Sequence, residues 1–252
     1  MFSSSKHIKF SYPKDTHELF QDIDPVPISK NIPDWYKKLK HTMGKKTIKG
    51  CMPFLDSLTA GYLLKTPQDI VLHFNIKKED GERDTYTGFA FSEVESLCRG
   101  FMLGINDTVN QVHPVRQLGK ECPYNKKNKF QPYIKIINPI HIETPPGYSC
   151  LFLPPLHSAE DRFQIIPGIV DTDSYPGNVN FPLVINGSKY DELNTIVKRG
   201  TPYVQIIPFK RDDWTSSVGE RPRLSFAMGL VKLRRLFYKN YQKLFWHKKK
   251  WN

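Results

Sequence analysis

Long apolar runs are missing from this sequence. No window approaches the roughly twenty residues that a spanning helix needs, and the opening MFSSSKHIKF has no stretch long enough for a signal peptide. A transmembrane segment is therefore not expected, and an intracellular protein is. Cysteine is sparse as well: Cys51, Cys98, Cys122 and Cys150 lie far apart, with no C-x-x-C pair and no histidine at a ligand spacing. That argues against a zinc cage or a disulfide framework and leaves buried or partly buried thiols, with no metal. Glycine (15) is outnumbered by proline (20). Proline lacks a backbone donor and is confined to turns, edge strands and first helical turns, so a helical bundle is disfavoured.

What is present describes a folded, mainly β protein. The 252 residues are 39% hydrophobic, 25% charged and 13% aromatic, enough for one sizeable core with terminal extensions. The formal charge is +12, and acid is absent from Arg221 onward, where ten Lys and Arg leave only +2 for the rest of the chain. Basicity on this reading belongs to the tail.

Three stretches follow from the pattern. Residues 1–49 read as an N-terminal arm, with a proline-started helix at Ile32-Pro33-Asp34-Trp35-Tyr36 that buries Trp35 and Leu39 on one face. Residues 50–213 read as a β-rich domain with an insertion around 92–141. Its strands are VLHFNI, YIKII (Tyr133–Ile137), YSCLFL (Tyr148–Leu153), FQIIPGIV (Phe163–Val170), VNFPLVI (Val179–Ile185) and YVQIIPF (Tyr203–Phe209). Asp80-Gly81 marks a hairpin, Ser92 to Ile105 a short helix, and Gly119 to Gln131 an exposed loop. Residues 214–252 return to helical spacing: Phe226, Leu230, Leu233, Phe237, Tyr241 and Leu244 share one face, opposite a basic stripe.

The order of three segments resembles the dUTPase family. Ile142-Glu143-Thr144-Pro145-Pro146-Gly147-Tyr148 is similar to the strand and turn before that family's second motif. Pro167 to Val179, with Asp171 and Tyr175 flanking a tight hairpin, resembles the third. Ile196 to Ile207, a Gly turn followed by a strand carrying Gln205, resembles the fourth. Cys51 to Leu64 is similar to the first strand. The resemblance implies a β-clip barrel or sandwich core and a homo-oligomer, typically a trimer with sites shared between subunits. GIVDTD, NFPLVIN and GTPYVQIIPFKRDDW also resemble a family of marine phage and bacterial proteins without a known activity. That likeness implies a phage-type protein in the cytoplasm of an infected host, or associated with a virion.

Carried over residue by residue, the likeness implies Asp171 as the residue that orients the attacking water, Tyr175 as the deoxyribose contact, and Gln205 and Ser158 as phosphate contacts. Much of the site departs from the pattern. Leu153 to Ser158 stands where an Arg-Ser pair belongs, no arginine comes before Arg162, and Thr201-Pro202 replaces a charged pair. No convincing fifth motif occurs in Trp214 to Gly219, and Val179 to Ile185 lacks the acid a dCTP deaminase needs as general base. Asp171 and Asp173 also fit turn carboxylates bonded to nearby backbone donors.

Three functions stay open. The first is a non-catalytic β-clip protein acting through assembly or partner binding. The second is a pyrophosphatase of nucleoside triphosphates using Mg²⁺, the sole cofactor implied. The third is nucleic-acid or anionic-surface binding by Arg234, Arg235, Lys239, Lys243, Lys248, Lys249 and Lys250, with Tyr241, Phe245, Trp246 and Trp251 interleaved. A docked terminal helix with solvated lysines explains the same tail.

Overall fold

The computed structural model describes residues 6–42, 45–79, 82–91, 112–131, 133–220, 222–223, 225, 227–229 and 240–251, with the backbone alone for 73–79, 82–91, 112 and 134. In chain order the elements begin with β1 (Lys9–Ser11), α1 (His17–Phe20), β2 (Val26–Pro27), α2 (Asp34–Lys38) and α3 (Met52–Thr59). There follow β3 (Tyr62–Lys65), β4 (Ile70–Glu79), β5 (Glu82–Phe91), β6 (Val112–His113), α4 (Pro123–Lys127), β7 (Tyr133–Ile136) and β8 (His141–Glu143). Last come β9 (Tyr148–Leu153), β10 (Phe163–Ile165), β11 (Gly168–Val170), β12 (Phe181–Ile185), β13 (Glu192–Val197), β14 (Pro202–Lys210) and α5 (Asn240–Leu244). The protein is mainly β, its sheets antiparallel and its helices few and short.

Packing groups the chain into two compact units. The first is Met1–Val26 with Tyr62–Lys210, and the second is Pro27–Gly61 with Arg211–Asn252.

The first unit holds the sheets. One runs β11-β9-β14-β3, a second β10-β12-β7-β6, a third β13-β4-β5, and β1 pairs with β8. Strand β14 sits inside its sheet, and Tyr203, Val204, Gln205 and Ile206 are all buried, so both faces of the strand are covered. Phe152, Phe181 and Tyr203 pack with ring centroids 5.4 and 5.7 Å apart and join the sheets through one aromatic cluster. The expected hairpin forms: β4 and β5 pair from Ile70↔Phe91 to Glu79↔Glu82.

Several local expectations are corrected. The single strand read at Phe163–Val170 is two, β10 pairing with β12 and β11 with β9. Between them the Ile166 N–H donates to the Pro182 carbonyl, and Pro167 has no N–H with which to continue a ladder. Strands β11 and β12 therefore lie in different sheets, and the tight hairpin expected between Asp171 and Tyr175 is a turn linking sheets. Its closure is local: the Asp171 carbonyl accepts from the N–H of Ser174 and of Tyr175, at 3.1 and 2.9 Å. The Gly119–Gln131 segment is no exposed loop. Asn125, Asn128 and Gln131 are buried, the Asn125 amide donates to the Gly119 carbonyl, and Asn128 Oδ1 accepts the Ile185 N–H at 2.8 Å. The Asn128 amide thus supplies a missing ladder partner at the end of β12.

Of Cys51–Leu64, expected as a first strand, only Tyr62–Leu64 is strand, in β3 of the first unit; in the second unit residues 52–59 are the helix α3, with Pro53 in its first turn, where a missing N–H is tolerated. The arm helix forms but turns the other way, burying Tyr36 while Trp35 stays 46% exposed. Tyr36 instead stacks on Phe54 at 5.8 Å. Cys51 is exposed rather than buried, Cys122 is half-buried and Cys150 is buried. The helix expected at Ser92–Ile105, Cys98, and Phe226, Leu230, Leu233 and Phe237 of the tail face lie outside the described residues. At the tail's described end, Tyr241 and Leu244 are exposed. Among the described residues no helix is long and apolar enough to cross a membrane.

Candidate functional site

Of the four motif residues Ser158 alone lines a cavity of about 430 Å³ in the first unit. The segment after β9, Leu153 to Ser158, forms one wall, and Tyr203 at the start of β14 forms another. Gln205 sits behind this wall. It is 1% exposed, lies opposite Leu153 across the β9–β14 pairing, and its Oε1 accepts the Leu156 N–H at 2.9 Å. The Gly turn expected before it is present: Gly200 has φ +83°, a left-handed conformation that favours glycine, and its N–H donates to the Thr66 carbonyl. Gln205 thus clamps the segment that would carry a phosphate-binding pair.

Ser158 lines the cavity, but its hydroxyl accepts the Glu160 N–H at 3.1 Å and its own N–H donates to the Pro155 carbonyl. Arg162, the nearest arginine in sequence to the missing motif position, is engaged on all sides. Its Nε and Nη2 form a fork to Glu160 at 2.9 and 2.6 Å, and Nη1 donates to Thr195 Oγ1 at 2.8 Å. Burial works against the Glu160 carboxylate, yet hydrogen bonds and charge from Arg162 prevail and hold it below the usual carboxylate range. Asp161 is likewise held low by Lys189 and Tyr190. In the cavity wall Lys127 donates to Gln164 Oε1 at 2.6 Å. The Tyr203 hydroxyl is buried without a hydrogen-bond partner, and burial pushes its pKa up.

Asp171 and Tyr175 stand elsewhere. Asp171 follows Val170, which pairs with Cys150, whereas Gln205 pairs with Leu153. The four-residue step from Ser149 to Leu153 along β9 spans about 13 Å at strand rise. Asp171 is exposed, and its Oδ1 accepts the Ser149 hydroxyl at 2.6 Å. Asp173 Oδ2 accepts the N–H of Gly147, a residue at φ +82°, at 2.8 Å. Between them Thr172 is buried and bonds Thr144 Oγ1 and the Cys150 thiol. Burial pushes that thiol up to about 11. The Asp-Thr-Asp run therefore laces two turns together, as turn carboxylates do. Tyr175 is 44% exposed, and a Cβ added at Gly177 would meet its ring at 3.5 Å.

The tail cations divide. Arg234, Arg235 and Lys239 lie outside the described residues. Lys243 is exposed on α5, and Lys248, Lys249 and Lys250 follow it, exposed, in an irregular segment. There the Trp246 indole N–H donates to both Asp56 oxygens, at 3.1 and 3.0 Å, and Lys249 reaches Asp56 at 2.7 Å. Sequence reasoning missed that Lys37, Lys38, Lys40 and Lys49 belong to the same unit as this tail. Their charge was visible, but the packing of residue 27–61 against residue 211–252 segments has no local signal.

Among the described residues no cluster of three or more His, Cys, Asp or Glu could hold a metal ion. No known family model matches the chain, and no curated protein matches it.

Proposed function

We propose that this chain is a non-catalytic protein on a β-clip-like scaffold, of phage type, that acts by binding a partner or by assembly. The supporting observation is Gln205: the residue that would touch phosphate is buried and its acceptor oxygen is engaged by the main chain at Leu156. Ser158 and Arg162 are engaged in the same way, and by strand rise Asp171 lies about 13 Å along β9 from the level of Gln205. A group that recognises a nucleotide needs donors and acceptors left open for it. Here those of Gln205, Ser158 and Arg162 close on the protein itself.

The test is pyrophosphate release and heat of binding with dUTP, dCTP, dTTP and UTP in the presence of Mg²⁺. The scaffold reading expects neither product nor heat. Turnover that disappears in Asp171→Asn would establish the pyrophosphatase instead. Light scattering on the full chain reads the homo-oligomer, a trimer by family likeness, that the assembly reading expects.

A further inference from the structure

Charge is divided between the two units almost completely. The second unit carries eighteen Lys and Arg against five Asp and Glu, a net of +13, so the whole-chain +12 leaves the first unit at −1. A surplus of this size on 77 residues repels itself and opposes folding, which makes an external anion its natural counterpart.

The geometry of that unit narrows the anion. Two hollows, of about 680 and 470 Å³, both include Leu55 of α3 in their walls and so adjoin each other. The larger is lined by Lys37, Lys38, Lys40, Lys49 and His41 around Tyr36. The smaller is lined by Lys248, Lys249 and Lys250 beside Trp246 and Trp251. Asp56 is the acidic residue in these walls, and both its oxygens are taken by Trp246 and Lys249. That bond also fixes the Trp246 ring. The Tyr36 ring in the wall of the larger hollow lies 6.0 Å from the Lys49 ammonium.

We propose that the second unit binds single-stranded nucleic acid along these two hollows, with lysines on the phosphates and Trp251 and Trp246 stacking on bases. Lysines and aromatic rings interleaved in a concave wall suit unstacked bases, which a duplex keeps covered. A membrane surface would engage the exposed Tyr241, Leu244 and Phe245, whereas the lysine-lined walls enclose the Trp246 and Trp251 indoles in a hollow. This inference rests on the second unit alone and stands or falls apart from the dUTPase-like reading of the first.

The experiment is fluorescence anisotropy of a labelled oligo-dT strand with the full chain across a salt series. Duplex DNA, heparin and vesicles containing anionic lipid serve as comparison arms. The proposal expects tight binding to the single strand, weakening steeply with salt, and quenching of tryptophan emission. In Lys248→Gln/Lys250→Gln, which alters exposed side chains, the slope of log affinity against log salt falls by about 1.4, at roughly 0.7 per phosphate contact. In Trp251→Ala the slope stays and affinity drops by about tenfold. Binding to heparin equal to that of oligo-dT and indifferent to Trp251 would overturn the proposal. So would binding confined to duplex or vesicles, or no binding at low salt.

Discussion

The two units use the same residue types to opposite ends. In the first, each charge in the motif region has a partner inside the fold: Glu160 takes Arg162, Asp161 takes Lys189 and Asp69 takes Lys198. Asp22 takes Arg199, whose guanidinium also caps the Leu19 and Pro67 carbonyls and lies over the Phe20 ring. In the second, cations outnumber acids by more than three to one; Asp34 pairs with Lys37 and Asp56 with Lys249. A fold that balances its charge internally has little left to offer a ligand.

The comparison can be broken at several points. The largest effect is expected from Phe181→Ala in the aromatic cluster, a loss of about 3–5 kcal/mol in urea unfolding, with oligo-dT binding unchanged in whatever fraction stays folded. Loss of binding per folded molecule would mean that the units do not act separately. Asp173→Ala removes the acceptor for the Gly147 N–H and should lower stability by about 1 kcal/mol, again without touching polyanion binding.

Asp56→Asn tests the other side. It weakens the hold on Trp246 and Lys249, so tryptophan emission should shift to the red and oligo-dT affinity should change, while the first unit's unfolding stays as it is. Unchanged emission would detach Trp246 from the proposed surface.

The smallest effect concerns pH. Arg162 lowers the Glu160 pKa in the fold, so this pair's stabilisation is full above the ordinary glutamate range and disappears as pH falls through the lower, folded value. Glu160→Gln should therefore be less stable than the parent near neutral pH, and the gap should close in acid. A gap that widens in acid would refute the pairing.

How much of this was legible in sequence differs between the units as well. Strands β9, β12 and β14 and the β4–β5 hairpin follow from alternation and turn residues, because a strand with one or two buried faces writes its burial into its pattern. Alternation does not say which sheet a strand joins, so Phe163–Val170 read as one strand although Pro167 divides it between two. Buried asparagines look like loop residues, which hid Asn128 at the end of β12 and Asn125 under the Gly119 turn. Asp171, Tyr175, Gln205 and Ser158 were identified by order along the chain, but order carries no information on what each side chain bonds. The second unit was least legible, since it is assembled from residues 27–61 and 211–252, far apart in sequence.

The most direct test of the account is urea unfolding of Gln205→Leu beside the parent, each with and without dUTP and Mg²⁺. If Gln205 is an internal tie, the substitution strands the Leu156 N–H and lowers stability by about 2–3 kcal/mol, and nucleotide shifts neither curve. A variant as stable as the parent, beside a parent that dUTP stabilises, would contradict the account and return Gln205 to a nucleotide site.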